Sequence, residues 1–485
     1  MAYLPCRPSR RFECTLLLVG LAVTAVALLP LDPQGPLDAR TLEPLPGAEL
    51  RYPWAGALLE PAAAVGHALS GAPSPKMAAL ATLGWILVVG ALWGWLRGSR
   101  SGMRALPGAL GAGLLASFTF LAYVGLYFLV PFPSWQLVTD NPDVIVADLQ
   151  THTHASHDGI YPAEASLPLL ADRGVEVAAV TEHKDPAGAF TARRLSREGP
   201  GLPAVIPGVE IRALKGYVLG LGVRPGLPLP DRIKTQEGLQ TFVQALHERH
   251  GGAVVALGWR LGPADVRVMA GSGLDGFEIA NMGHPDVPHR VGRAIRRQAR
   301  ERGLSLVASS DWHGWTGTWR TWTLVRPGDP SQPPAEAVLT ALRDPEPGQV
   351  VPAVAGYLGP PSTLRTAFAP LAETFRYAAA LSPARVLGWW LWIGVALAIA
   401  PALRRAGIRP GPALGRTTLS VVGLSLVGAA APLALAPAAA AADPAFHQRI
   451  GSYGLGLGGL ALAAGVWPIL RHWLGKRSLP ENAPL

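Results

Sequence analysis

The sequence predicts a mixed α/β protein, a seven-stranded barrel of strands and helices inserted between two groups of three transmembrane α-helices. Three observations lead there. Of the 485 residues, 49% are hydrophobic and only 15% charged, with a mean hydropathy of +0.26; a soluble domain carries about 25% charged residues. Six apolar runs approach or exceed the roughly 20 residues that cross a bilayer as a helix. Between 143 and 352 the charges return, and short strand-like segments alternate with helix-like ones.

The N-terminal region, 1–134, holds the first three runs: Thr15–Leu31, Met77–Leu96 and Ala105–Phe132. The first follows Arg7, Arg10 and Arg11 and reads as an uncleaved anchor, because no clean small-x-small site comes after it. The C-terminal region, 386–470, holds Val386–Leu403, Thr417–Ala442 and Ser452–Leu470, and 471–485 form a tail. If six helices alternate, the basic residues fall on one side. They are the N-terminal arginines, then Arg97, Arg100 and Arg104, then Arg404, Arg405, Arg409 and Arg416, then Arg471, Lys476 and Arg477. The positive-inside rule then predicts an integral protein of a cytoplasmic (inner) membrane, with both termini cytoplasmic and the 143–352 domain facing outward.

The same loops account for the net charge of +9. With no basic-aromatic surface pattern beside them, the expected partner is the lipid bilayer and not a nucleic acid. The run centres carry essentially no ionisable residues, which argues against a transport path. GLGLGGLALAAG, Gly454 to Gly465, lies in an apolar run and follows no strand, so it fits close helix packing better than a nucleotide loop. Cys6 and Cys14 form no disulfide framework and no zinc motif, and are expected to do no more than pack.

In the central domain the expected strands are Val144–Leu149, Val175–Val180, Ala204–Ile211, Tyr217–Val223, Ala253–Leu257, Gly276–Ile279 and Leu304–Ala308. Amphipathic helices are expected at Ala163–Arg173, Thr241–His250 and His289–Arg302, with a final strand at Thr321–Val325 and a last helix at Pro334–Leu342. Such alternation implies parallel strands with right-handed crossovers, and seven of them suggest a closed barrel. In such barrels the active site lies at the C-terminal strand ends. Metal-competent residues gather there: QTHTHASHD after the first strand, TEH with Glu182 and His183 after the second, GVE with Glu210 after the third, and SSDWHG with Asp311 and His313 after the last. One histidine after a strand is commonplace, but four clusters at four strand ends point to a metal centre. Imidazole and carboxylate suit zinc, manganese or iron. Residues two apart share a strand face, so Gln150 pairs with His152 and Asp311 with His313.

HTHASHDG, TEH, PGVEI and SSDWHG, in that order and spacing, resemble the PHP family, named for polymerase and histidinol phosphatase. The resemblance covers roughly two fifths of the chain. It implies a distorted (β/α)7 barrel and a phosphoesterase using up to three metal ions. The family opens with His-x-His and a further His or Asp about five residues on. Here the pair is either His152 and His154, leaving Asp158, or Gln150 and His152, leaving His157. The second register keeps strand spacing unbroken from Val144 and is adopted here, with His154 left in the loop. By resemblance His157, His183 and His313 form one complete site. His152, Glu210 and Asp311 form a partial one in which Gln150 stands where the family has histidine. Two further family histidines are replaced by Tyr217 and Leu257, so one or two divalent ions are expected rather than three.

The leading expectation is a metal-dependent hydrolase of a phosphorylated small molecule or cell-envelope ester. Asp311 is a catalytic candidate beside the metals. Arg260 is a candidate phosphate contact, and His284, with His289 nearby, a candidate proton donor to the leaving group. The competing expectation is a catalytically weakened module that senses or binds a metal or ligand.

Overall fold

The computed structural model describes residues 10–29, 35–72, 74–101, 106–284, 287–315, 319–356, 363–435 and 442–477. Of the expected features, the helix limits at 31 and 105, Cys6, Arg7, Arg104 and the tail beyond 477 lie outside the described residues.

The chain begins with α1 (Arg11–Ala27), β1 (Pro36–Asp38), β2 (Ala48–Arg51), α2 (Trp54–Ser70), α3 (Pro75–Ser101) and α4 (Leu106–Leu129). The stretch between the first two apolar runs, expected to be a loop, carries β1, β2 and α2. Helix α2 escaped the hydropathy pattern because Glu60 and Pro61 interrupt it. Glu60 is fully buried and gripped by Arg385, whose Nε and Nη2 donate to its two carboxylate oxygens at 2.8 and 2.7 Å. The Tyr377 hydroxyl donates to it at 2.7 Å. Cys14, expected only to pack, is disulfide-bonded.

Next is β3 (Gln136–Thr139), which pairs with β2 in a separate two-stranded sheet, and then the barrel: β4 (Ile145–Thr151), α5 (Ala163–Ala171), β5 (Val177–His183), α6 (Ala187–Glu198), β6 (Ala204–Ala213), β7 (Gly216–Leu221) and β8 (Arg232–Ile233). Then come α7 (Gln236–His250), β9 (Ala253–Leu257), α8 (Pro263–Ala270), β10 (Gly276–Asn281), α9 (His289–Arg302), β11 (Ser305–Ser309), β12 (Thr321–Val325), α10 (Pro334–Arg343) and β13 (Val350–Ala355). The sheet order is β1-β13-β12-β4-β5-β6-β7-β9-β10-β11, with β8 added to β6. Pairs β4/β5, β5/β6, β9/β10 and β10/β11 are parallel.

The expectation of a uniformly parallel sheet is corrected at β7, which runs antiparallel to both β6 and β9. Only Leu214 and Lys215 separate β6 from β7, too short a link for a crossover. The sheet curls until its last strand meets β4. Thr151 bridges Trp312, and the Asp311 N–H donates to the Gln150 carbonyl at 2.9 Å. Hydroxyls complete the seam: Thr323 donates to the Ala308 carbonyl at 2.7 Å and Thr321 to that of Ser309 at 2.9 Å. Leu149, Ala179, Ile206, Leu219, Val255 and Val307 fill the interior, and Val338 and Leu342 of α10 pack against the same core.

The chain ends in α11 (Thr363–Ala367), α12 (Ala369–Ala379), α13 (Pro383–Arg405), α14 (Pro410–Leu435) and α15 (Pro444–Arg477). Among the described residues, three helical stretches are long and apolar enough to cross a membrane: Pro75–Leu92, Pro383–Arg405 and Ala413–Leu435; Gly113–Leu129 is a shorter apolar helix. Helices α14 and α15 touch through glycines. A Cβ on Gly454 would lie 2.5 Å from the Ala430 Cβ, and one on Gly458 2.9 Å from the Gly423 carbonyl oxygen. The glycine-rich run therefore serves close helix contact.

Candidate metal centre

Strand β4 delivers Gln150 and His152 to the barrel mouth, β5 His183, β6 Glu210, and the turn after β11 Asp311 and His313. Local structure fixes each of them. Gly159 closes the loop after β4 so tightly that a Cβ there would sit 1.9 Å from the Thr153 carbonyl oxygen. Buried Glu182 of the TEH segment points away from the metal-competent groups and anchors that loop, accepting from the Thr153 and Ser156 hydroxyls. Asp311 holds a left-handed backbone, φ 55°, a conformation that persists only where its surroundings enforce it.

Three groups of ligand atoms lie within 4.8 Å of one another among the described residues: His152, Glu210 and Asp311; His152, His183 and His313; and His157, Asp158 and His183. In the first, His152 Nε2 is 3.3 Å from Asp311 Oδ1 and 3.5 Å from Glu210 Oε2. Burial opposes charge on His152, but the two carboxylates outweigh it and raise its pKa to about 10. Burial likewise pushes Asp311 up, and the neighbouring His152 and His313 more than reverse this, leaving it at about 2.

Gln150 lies in this group, as the adopted register requires, but its amide nitrogen faces the carboxylates. Nε2 donates to Glu210 Oε2 and to Asp311 Oδ1, both at 2.8 Å. The amide orientation is set by Asn281, whose Nδ2 donates to Glu278 at 3.0 Å and so offers a donor to Gln150 Oε1 at 3.2 Å.

The outer group differs from expectation. His183 and His313 are joined by Asp158, whose Oδ1 lies 3.4 Å from Nε2 of each. Burial works against its charge, yet the two imidazoles hold the carboxyl far below the usual range. His157 stands at the rim with its side chain 65% exposed, and its Nε2 is 3.7 Å from Asp158 Oδ2. It groups with His183 and not with His313. The reason is the turn at 156–159, which directs Asp158 inward and His157 out. The third ring beside His183 and His313 is that of His152, at centroid distances of 4.5 and 4.1 Å. His313 Nδ1 lies 2.8 Å from the Asp311 carbonyl, which leaves Nε2 for a ligand. Two buried atoms here have no hydrogen-bond partner, His152 Nε2 and Asp158 Oδ1. Both point into the groups of imidazoles and carboxylates, a donor set that fits divalent zinc, manganese or iron.

Where two family histidines are missing, an aromatic shelf stands instead. Trp259 stacks on His284 at 3.7 Å between centroids and on Tyr217 at 5.8 Å. The Arg260 guanidinium lies 4.5 Å from the Trp259 centroid, and its Nη1 donates to the Tyr217 hydroxyl at 3.4 Å. Leu257 is core. His284 reaches the centre, Nε2 3.8 Å from Asp311 Oδ2, and burial lowers its pKa. His289 opens α9 and is exposed. Sequence reasoning set Asp158 aside with the register not adopted, and missed Trp259 as the shelf and Glu278 and Asn281 beneath Gln150. A glutamate inside the apolar strand GFEIAN was the available signal for Glu278, which is fully buried and raised well above a usual carboxyl by that burial.

Solved structures similar to this chain include a metal-dependent phosphoesterase, a protein with a PHP-like metal-dependent phosphoesterase domain and an amidohydrolase. One, from Bifidobacterium adolescentis and assigned as a metal-dependent phosphoesterase, is 18% identical over 34% of this chain and 87% of its own, with a TM-score of 0.29. A two-domain protein from Bacteroides vulgatus with an assigned PHP-like phosphoesterase domain is 16% identical over 43% of this chain and 64% of its own, TM-score 0.34. An amidohydrolase from Chromobacterium violaceum, with bound sulfate and no metal, is 15% identical over 34% and 87%, TM-score 0.28. No family model and no curated protein matches the chain.

Proposed function

We propose that this chain is a membrane-anchored, PHP-type metal-dependent phosphoesterase acting at the outer face of a cytoplasmic membrane. The observation that carries the reading is the convergence of His152, Asp158, His183, Glu210, Asp311 and His313, with two orphaned ligand atoms among them. One divalent ion would be held by His152, Glu210 and Asp311. A second would be held by Asp158, His183 and His313, with His157 at the rim. Such ions supply hydroxide near neutral pH and neutralise charge on phosphoryl oxygens. Asp311 orients the attacking water, Arg260 contacts the phosphate through two N–H groups, and His284 gives a proton to the departing oxygen. Water oxygen bonds to phosphorus, the ester P–O bond breaks, and alcohol and phosphate leave.

Three apolar helices support membrane anchoring, as does a belt of exposed Leu18, Leu80, Val88, Leu391, Val421 and Leu424. Outward orientation is supported by charge: Arg404 and Arg405 close α13, and Arg409 and Arg416 follow before and within the start of α14.

A second reading has its own observation. The Gln150 amide already donates hydrogen bonds to both Glu210 and Asp311, as in a site retuned for sensing. Phosphate release from model monoesters by the purified full chain, loaded with zinc, manganese or iron, separates the two. The phosphoesterase reading expects turnover that chelation or His313→Ala abolishes; bound metal with no turnover selects the sensor.

A further inference from the structure

We infer that the ester cleaved here is an amphiphile, a phosphate monoester of a long alkyl or acyl chain whose tail lies between the membrane helices. This rests on the phosphoesterase reading for the chemistry at the head, but the tail groove stands on separate observations. A cavity of about 800 Å³ is lined at one end by Asp311, His313, His284 and Trp259. At its other end it is lined by Leu80 and Leu83 of α3 and by Phe120 and Val124 of α4. The metal-competent groups and the helix side chains thus face one continuous space.

Its direction favours a chain over a compact polar substrate. Along α3 the lining runs from Pro75 to Leu83, about 12 Å at 1.5 Å per residue. That stretch falls within Pro75–Leu92, one of the three segments apolar enough to cross a membrane. The groove therefore descends from the barrel mouth to hydrocarbon depth. Its wall is open to the side, where Leu80 is 53% and Leu121 40% exposed. A tail can slide in from the bilayer without crossing water while the head reaches Asp311 and His313. Lys76, in the first turn of α3, lines the same cavity at the level where an anionic head would sit. A soluble sugar or nucleotide phosphate would leave this apolar wall unused.

The test uses the purified full chain in detergent micelles, loaded with manganese. A diazirine-bearing dodecyl phosphonate, whose C–P bond hydrolysis spares, is photolysed and the labelled peptides are mapped. Labelling should fall on the segments around Leu80–Leu83 and Phe120–Val124. Dodecyl phosphonate should compete at least tenfold better than methyl phosphonate or dodecanol. Dodecanol competing as well as the phosphonate would mark a crevice for any apolar chain and overturn the inference, as would labelling scattered over the other helices. The second arm compares turnover of oleoyl-glycerol phosphate and glycerol phosphate. Ala79→Phe and Leu83→Trp, which fill the groove, should each lower the long-to-short ratio of kcat/KM at least tenfold; an unchanged ratio overturns the inference. Groove labelling with neither ester cleaved would instead remove the phosphoesterase reading and keep the amphiphile as a bound ligand.

Discussion

Replacing Gln150 with alanine should destabilise the metal-free barrel and cost the metal-loaded one no more than half as much. The Gln150 amide donates to two carboxylates at 2.8 Å inside an almost sealed site. Hydrogen bonds to charged groups contribute about 1.5–3 kcal/mol each, so their joint loss approaches 3–6 kcal/mol. His152, whose Nε2 stays 3.3 Å from Asp311 and 3.5 Å from Glu210, offsets part of that loss, which brings the expected cost to about 3 kcal/mol. For a domain of this size that lowers Tm by about 6–12 °C. A bound divalent ion supplies the missing positive charge, so saturating zinc or manganese should close at least half the gap. Thermal unfolding of the detergent-solubilised protein, with chelator and with metal, measures both numbers. Equal Tm for wild type and Gln150→Ala in chelator would refute the idea that the amide stands in for a cation. A gap that metal leaves unchanged would refute the placement of an ion beside Glu210 and Asp311.

Asp158→Ala should weaken metal binding by more than about 100-fold in calorimetric titration, and His157→Ala by much less, because Asp158 bridges His183 and His313. Equal effects would restore His157 to the centre. Burial raises the Asp148 carboxyl from 3.8 to about 7. The folded state then binds a proton that the unfolded chain releases, so this residue's contribution to stability falls as pH rises from about 4 to 7. Unfolding across that range should show Asp148→Asn gaining on wild type by up to about 4 kcal/mol; a constant difference would contradict the raised pKa. Arg385→Met should cost about 3–5 kcal/mol by stranding Glu60. The double variant Glu60→Gln/Arg385→Met should recover most of the lost Tm.

How much of this was legible follows from how local each signal is. The ranges Ala253–Leu257, His289–Arg302 and Thr321–Val325 are observed as the sequence pattern predicts. Each is a short apolar run or a strongly amphipathic stretch whose period needs no tertiary partner. His152, Glu210 and Asp311 were legible as one group only through the resemblance of their motifs to a known family; strand spacing by itself paired Gln150 with His152 and Asp311 with His313. The interchange of His157 and Asp158 was not: two adjacent ligand types sit in one turn, and only the packing of Gly159 on Thr153 decides which points inward. Helix α2 was hidden for a different reason. Its glutamate is tolerable in an apolar setting only because Arg385, more than three hundred residues on, neutralises it.

The sequence by itself determined the apolar segments, the strand-helix alternation and the order of the four motifs, since hydropathy, period and residue chemistry belong to the chain before it folds. Only the tertiary structure decided what those motifs face. That Gln150 offers a nitrogen to two carboxylates, that Trp259 carries His284, and that the barrel mouth opens onto α3 and α4 all depend on contacts between residues far apart in the chain. Such contacts form because curling the sheet brings the end of β11 against β4, and no periodicity in the sequence encodes that meeting.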